Sequence, residues 1–230
     1  MDQNFINERI EEFSKNVREN GKIKNIDQHN LYYLQTTDMD GNITGEAFGA
    51  NLMTIEGLKL FAGGRDNTRY GVGVQILLGS GQTTPTITDT TLTNLILQSG
   101  DISIYDSSII TNHRYWYDNT RQLLCVRCRY AYYSFPYTEM GTASGQTSVD
   151  LYEIGLMKGN YYGYPVYPEA YTKKLATHSL IYDKYGNPFH ITKRNTEMLT
   201  IHIYLVATID THMFEDNYDN GRYITGCAQK

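Results

Sequence analysis

Cys125 and Cys128 stand three apart, a spacing at which two thiols can hold a metal or form a redox pair. Both lie inside RQLLCVRCRYAYYS (residues 121–134), which reads as a strand, and an odd separation on a strand turns two side chains to opposite faces. No second CxxC supplies further ligands, so the pair reads as structural. Asp38, Asp40, Gly41 and Asn42 resemble the start of a calcium loop, but the twelfth position is Gly49 where that loop needs glutamate. The same residues are ordinary hairpin-turn chemistry. Glu215, Asp216, Asn217, Asp219 and Asn220 form an acidic stretch that reads as a solvated loop.

The six histidines, His29, His113, His178, His190, His202 and His212, form no HExxH or HxH pattern, and no GxSxG is present. His202 falls on the polar face of a long strand, where a surface or interface role is expected. The glycines of GVGVQILLGSG (71–81) are not followed by the GK[ST] of a phosphate loop, and Pro85 opposes the helix a dinucleotide loop requires. They suit a bulge or close backbone approach in a sheet. Carboxylates are scattered, and a pair of acids joined only in space would leave no motif. The sequence therefore assigns no catalytic residue, no cofactor site and no metal site.

The unusual feature of the composition is tyrosine: 21 of the aromatics are Tyr, against 7 Phe and 1 Trp, in 230 residues. Tyrosine favours strands and half-wet contact surfaces. A net charge of -5 without a long basic run opposes nonspecific nucleic-acid binding. Three cysteines do not make a secreted disulfide framework, the charged N-terminus is unlike a signal peptide, and no segment reaches the ~20 apolar residues of a membrane span. Synthesis in a reducing cytoplasm is expected.

The elements follow from periodicity. Ile6, Ile10, Phe13 and Val17 form one stripe of an amphipathic helix stopped at Asn20-Gly21, either docked on its own domain or offered to a neighbouring subunit. LYYLQTT and ITGEAF make a hairpin around Asp40-Gly41, and residues 51–62 could be a short helix. TNHRYWYD and RQLLCVRCRYAYYS should pair across Asp118-Asn119-Thr120. In the second, Leu124, Val126, Cys128, Tyr130 and Tyr132 are expected on one face. VDLYEIGLM reads as one strand, THSLIYD and FHITK as a hairpin, and EMLTIHIYLVATI as a long strand with an apolar row from Leu199 to Ile209. The tyrosine-rich segment 160–171 reads as an ordered loop. The expected fold is mainly β: a single antiparallel β-sandwich, jelly-roll-like, over residues 28–230, with an N-terminal helical extension over 1–27.

The succession of segments resembles a layout of tailed-bacteriophage virion proteins from the tail, baseplate, collar or neck. There, a small-residue strand with a following Pro and Asp precedes a Tyr-rich sheet, an E-i-G-L strand and a D-G-N-P turn before a final strand. The resemblance covers roughly residues 50–210 and rests on Gly71, Gly73, Gly79, Gly81, Pro85, Asp89, Leu92, Glu153, Gly155, Leu156, Asp183, Gly186, Asn187, Pro188, Lys193, Leu199 and Ile201. The extra QILL departs from the layout, and the first fifty residues fall outside it.

The resemblance implies a non-enzymatic structural protein of the virion, made in the host bacterial cytoplasm. It would assemble as a homo-oligomeric ring and contact other virion proteins, with no specific nucleic acid, no membrane span and no cofactor. Contact candidates are Ile6, Ile10, Phe13 and Val17 on the helix, with Trp116, Tyr161, Tyr162, Tyr164 and Tyr167. The same aromatics could stack on sugar rings, which makes a carbohydrate- or receptor-binding module at the tail tip the alternative.

Overall fold

The computed structural model describes residues 3–24, 26, 29–57, 73–100, 102–103, 111–118, 123–158 and 174–210. The chain opens with helix α1 (Gln3–Asn20), followed by strands β1 (Leu31–Thr37), β2 (Ile43–Ala50), β3 (Leu52–Met53), β4 (Gly73–Gly79), β5 (Leu95–Gln98) and β6 (Ile102–Ser103). Then come β7 (Thr111–Asp118), β8 (Leu123–Phe135), β9 (Ser148–Leu151), β10 (Glu153–Lys158), β11 (Leu175–Tyr182), β12 (Ile191–Arg194) and β13 (Met198–Asp210). The protein is mainly β with one N-terminal helix, as expected.

The β1–β2 hairpin forms as its turn residues dictate. Gly41 takes φ 85°, Asp38 Oδ1 accepts from the Asp40 and Asn42 N–H groups, and Asn42 Nδ2 donates to Asp38 Oδ2 at 3.1 Å. The carboxylate is thus occupied by its own turn. From this hairpin an antiparallel path runs β5-β4-β10-β11-β2-β1-β13-β8-β7, with β3 beside β11, β6 beside β4, and β9–β12 as a separate ribbon. One apolar cluster joins Tyr32 and Leu34 of β1 to Ile76 and Leu78 of β4, Ile154 of β10 and Leu199, Ile201 and Ile203 of β13. Strands remote on the path therefore face one another, so the sheet curls around its core. Leu151 and Ile191 of the small ribbon close onto that cluster.

Every residue of β1 is buried, because both of its faces are covered. Tyr32 and Leu34 enter the curled core, while Leu31 and Tyr33 meet α1 on the outer face with Phe48, Ala50 and Tyr204. Ile6, Ile10, Phe13 and Val17 are each at most 1% exposed in this second cluster. Of the two positions considered for the stripe, the chain's own sheet takes it. The proposed contact of these four residues with a neighbouring subunit is corrected accordingly, since their apolar surface is already spent.

Three strand expectations change. VDLYEIGLM breaks at Tyr152, whose N–H donates to Gly79 O and whose carbonyl accepts from Ile181 N, so β9 and β10 join different ribbons. FHITK does not extend a hairpin with THSLIYD. After one bridge, Tyr182 to Pro188, the chain turns away and β12 pairs with β9 at Ile191↔Leu151. On β8, Arg129 and Ala131 oppose successive residues Tyr204 and Ile203, leaving Tyr130 as a bulge. The bulge shifts the register by one residue and sets Tyr132 opposite His202.

Candidate functional site

The strongest cluster of ionisable groups among the described residues grows from the β10–β11 pair. His178 lies opposite Gly155, and Glu153 two residues along is its diagonal neighbour on the same face. Gly155 adds no side chain, so nothing on β10 stands between them. On the other flank Glu153 opposes Gly79 of β4. A Cβ at Gly79 or at Gly81 would sit 2.4 Å from Glu153 Oε1, so both glycines are needed to admit the carboxylate. The segment after β4 then folds over it: Oε1 accepts from the N–H groups of Gly81 at 3.0 Å and Asn94 at 3.1 Å, and Oε2 from Thr93 at 3.3 Å.

His178 completes the cluster. Its Nε2 lies 3.0 Å from Glu153 Oε2 and its Nδ1 2.6 Å from Asp89 Oδ2. Asp89 is itself held by Thr86, whose N–H donates to Oδ2 at 2.8 Å and whose hydroxyl donates to Oδ1 at 2.6 Å. Side-chain exposure is 0% for Glu153, 2% for His178 and 23% for Asp89, a gradient from core to surface. Burial alone would raise the pKa of Glu153, but His178 and the three backbone donors outweigh it and hold the carboxyl below its usual range. For Asp89 burial is likewise outweighed, by Thr86 and His178. Burial opposes charge on His178, and the two carboxylates overcome it and raise its pKa. With a proton on each ring nitrogen, His178 donates to a carboxylate on either side. The chemistry this geometry performs is fastening: it ties residues 80–94 to β10 and β11.

A second polar frame fixes α1. Arg9 forks onto Glu46 of β2, Nε to Oε1 at 2.9 Å and Nη2 to Oε2 at 2.6 Å, and also reaches Glu12 at 2.5 Å. Tyr33 donates its hydroxyl to Glu46 Oε1 at 2.5 Å. At the far end, Asn16 and Asn20 donate to the carbonyls of Lys184 and Tyr185, and Lys22 to Asn187 Oδ1. That receiving turn, Asp183–Asn187, repeats the hydrogen bonds of Asp38–Asn42, with Gly186 at φ 75°. Beneath the helix a cross-strand row runs Tyr132, His202, Tyr33 and Phe48 over β8, β13, β1 and β2, ending where Phe48 stacks on Phe13 at 4.7 Å. His202 is 4% exposed in this row, not a surface residue. Tyr132 is 54% exposed at its open end.

A third buried charge, Lys193, donates Nζ to the carbonyls of Tyr137, Arg194 and Glu197 at 3.1, 3.0 and 2.6 Å. It caps the turn between β12 and β13.

Of the remaining sequence candidates, Trp116 is on β7 opposite Cys125, with its side chain outside the description, and Cys128 opposes Leu205 on β13. Tyr161, Tyr162, Tyr164 and Tyr167, Cys227 and the acidic stretch 215–220 lie outside the described residues. Among the described residues no group of His, Cys, Asp and Glu is arranged to hold a metal ion, and no helix is long and apolar enough to cross a membrane.

Sequence reasoning passed over His178 as one of six unpatterned histidines. Its partners lie 89 and 25 residues away, beyond any spacing rule. The available signal was indirect: Gly79, Gly81, Asp89, Leu92, Glu153 and Gly155 could each be singled out in the sequence, and all converge here. Leu92 lies 3.3 Å from where a Gly155 Cβ would be. No protein-family model, no curated protein and no solved structure matches the chain.

Proposed function

We propose that this chain is a non-enzymatic structural component of a tailed-bacteriophage particle, forming a homo-oligomeric ring in the tail, baseplate or collar region and contacting other virion proteins. The observation that carries the reading is the convergence just described. Six of the residues on which the resemblance rests, Gly79, Gly81, Asp89, Leu92, Glu153 and Gly155, lie together around Glu153 and His178, which supports the reading. In this reading the curled sheet is the two-layered, jelly-roll-like sandwich of such a subunit, and subunit contacts fall to exposed aromatics such as Tyr117, Tyr132 and Tyr185. The α1 stripe has no part in them.

Native mass spectrometry of the purified chain, together with imaging of particles carrying a tag on it, tests the proposal. The expected result is one discrete ring stoichiometry and tag density at the tail or neck. A chain that stays monomeric at high concentration and is absent from particles overturns it.

A further inference from the structure

We propose that His178 is a proton-operated latch: as a cation it ties the Asp89 turn to Glu153 on β10, and as a neutral ring it lets that turn go. The geometry requires two donors from one imidazole, Nδ1 toward Asp89 at 2.6 Å and Nε2 toward Glu153 at 3.0 Å. A neutral imidazole has one N–H, so one of the two contacts becomes a lone pair facing a carboxylate.

Which contact opens is decided by the surroundings. Glu153 is fully buried and already receives three backbone N–H groups, so it has no freedom to turn away. Asp89 is the partly exposed partner, on a turn in which Thr86, Ile87, Thr88 and Thr90 face solvent. The remaining proton therefore stays on Nε2, and Asp89 leaves. Among the described residues, Asp89 and Glu153 are the ionisable groups that meet the ring. In register, β3 brings Leu52 opposite it and β10 brings Gly155, while Thr177 and Ser179 flank it on β11, and none of these titrates in the relevant range.

Release has a defined reach. Ile87 O accepts from Ile55 N at 2.8 Å and Thr90 O from Leu175 N at 3.1 Å, so the Asp89 turn braces both the segment after β3 and the start of β11. The raised pKa of His178 sets the direction. The latch is closed below the ordinary histidine range of ~6.5 and opens as pH rises through the higher folded value.

The test is hydrogen exchange on the whole chain between about pH 6 and pH 9, corrected for intrinsic exchange, with NMR of the His178 ring in the same samples. Protection at Ile55 and Leu175 should fall with the ring's own titration, by up to about tenfold per pH unit above its pKa, the limit for one proton. Asp89→Asn supplies either a donor or an acceptor to Nδ1, so the variant should hold the turn at every pH in this range and flatten the response. Protection that stays constant while His178 titrates overturns the latch, as does a ring already neutral at pH 6, or an Asp89→Asn protein with the original pH dependence. Should the variant fail to fold, the coincidence or separation of the two titrations in the unmodified chain decides.

Discussion

Glu153 shows how a charge can be buried with full compensation: every part of its carboxylate meets a donor, and glycines clear the space. Glu153→Gln removes the charge that the imidazolium and the backbone donors were arranged for. We expect a loss of about 3 kcal/mol or more, read as a lower urea midpoint. Lys193→Met should cost about 2 kcal/mol, because three backbone carbonyls lose their donor while the apolar volume is kept. A midpoint unchanged by that substitution would mean that water replaces the ammonium. At this scale the sequence is least legible. Gly79, Gly81 and Glu153 could be singled out, but nothing in their spacing names His178, because contact across β4, β10 and β11 is made by sheet order.

Elements were read better than their partners. The 3.6-residue stripe and the Asp-Gly turn are local physics, so α1 and the β1–β2 hairpin stand where periodicity places them. What the stripe packs against is not local, and Tyr33 and Phe48 supply the answer only once β1 and β2 are side by side. FHITK pairs elsewhere for the same reason: five residues carry too little pattern to choose β9 over the nearer β11. The buried helix carries its own prediction. Phe13→Ala should destabilise by about 3–5 kcal/mol, since it empties a stacked aromatic site under α1. Removal of residues 1–21 should expose Leu31, Tyr33 and Phe48 together and give an aggregating or unfolded chain by circular dichroism and gel filtration. A folded, soluble truncation would show that α1 is an accessory rather than part of the core.

For the whole molecule, the charge cluster predicts a stability profile with two limbs. Asp89 and Glu153 have depressed pKa values, so their contribution is present above the ordinary carboxylate range of ~4 and lost as pH falls through the folded values. His178 has a raised pKa, so its contribution is complete below ~6.5 and lost as pH rises through the folded value. Urea midpoints across pH should therefore form a plateau with an acid and an alkaline shoulder, and His178→Gln should abolish the alkaline shoulder. A shoulder that survives this substitution would have to come from another group.

Strand order also bears on how the chain is made. β1 is hydrogen-bonded on one edge to β2, its neighbour in sequence, and on the other to β13, with Leu31 opposite Tyr204. At ribosomal speeds of ~5–20 residues per second, the N-terminal hairpin waits roughly 8–30 s for that partner to be synthesised. Throughout that interval one edge of a Tyr- and Leu-rich strand is open, so nascent chains stalled before residue 198 would be substrates for chaperones or seeds for aggregation.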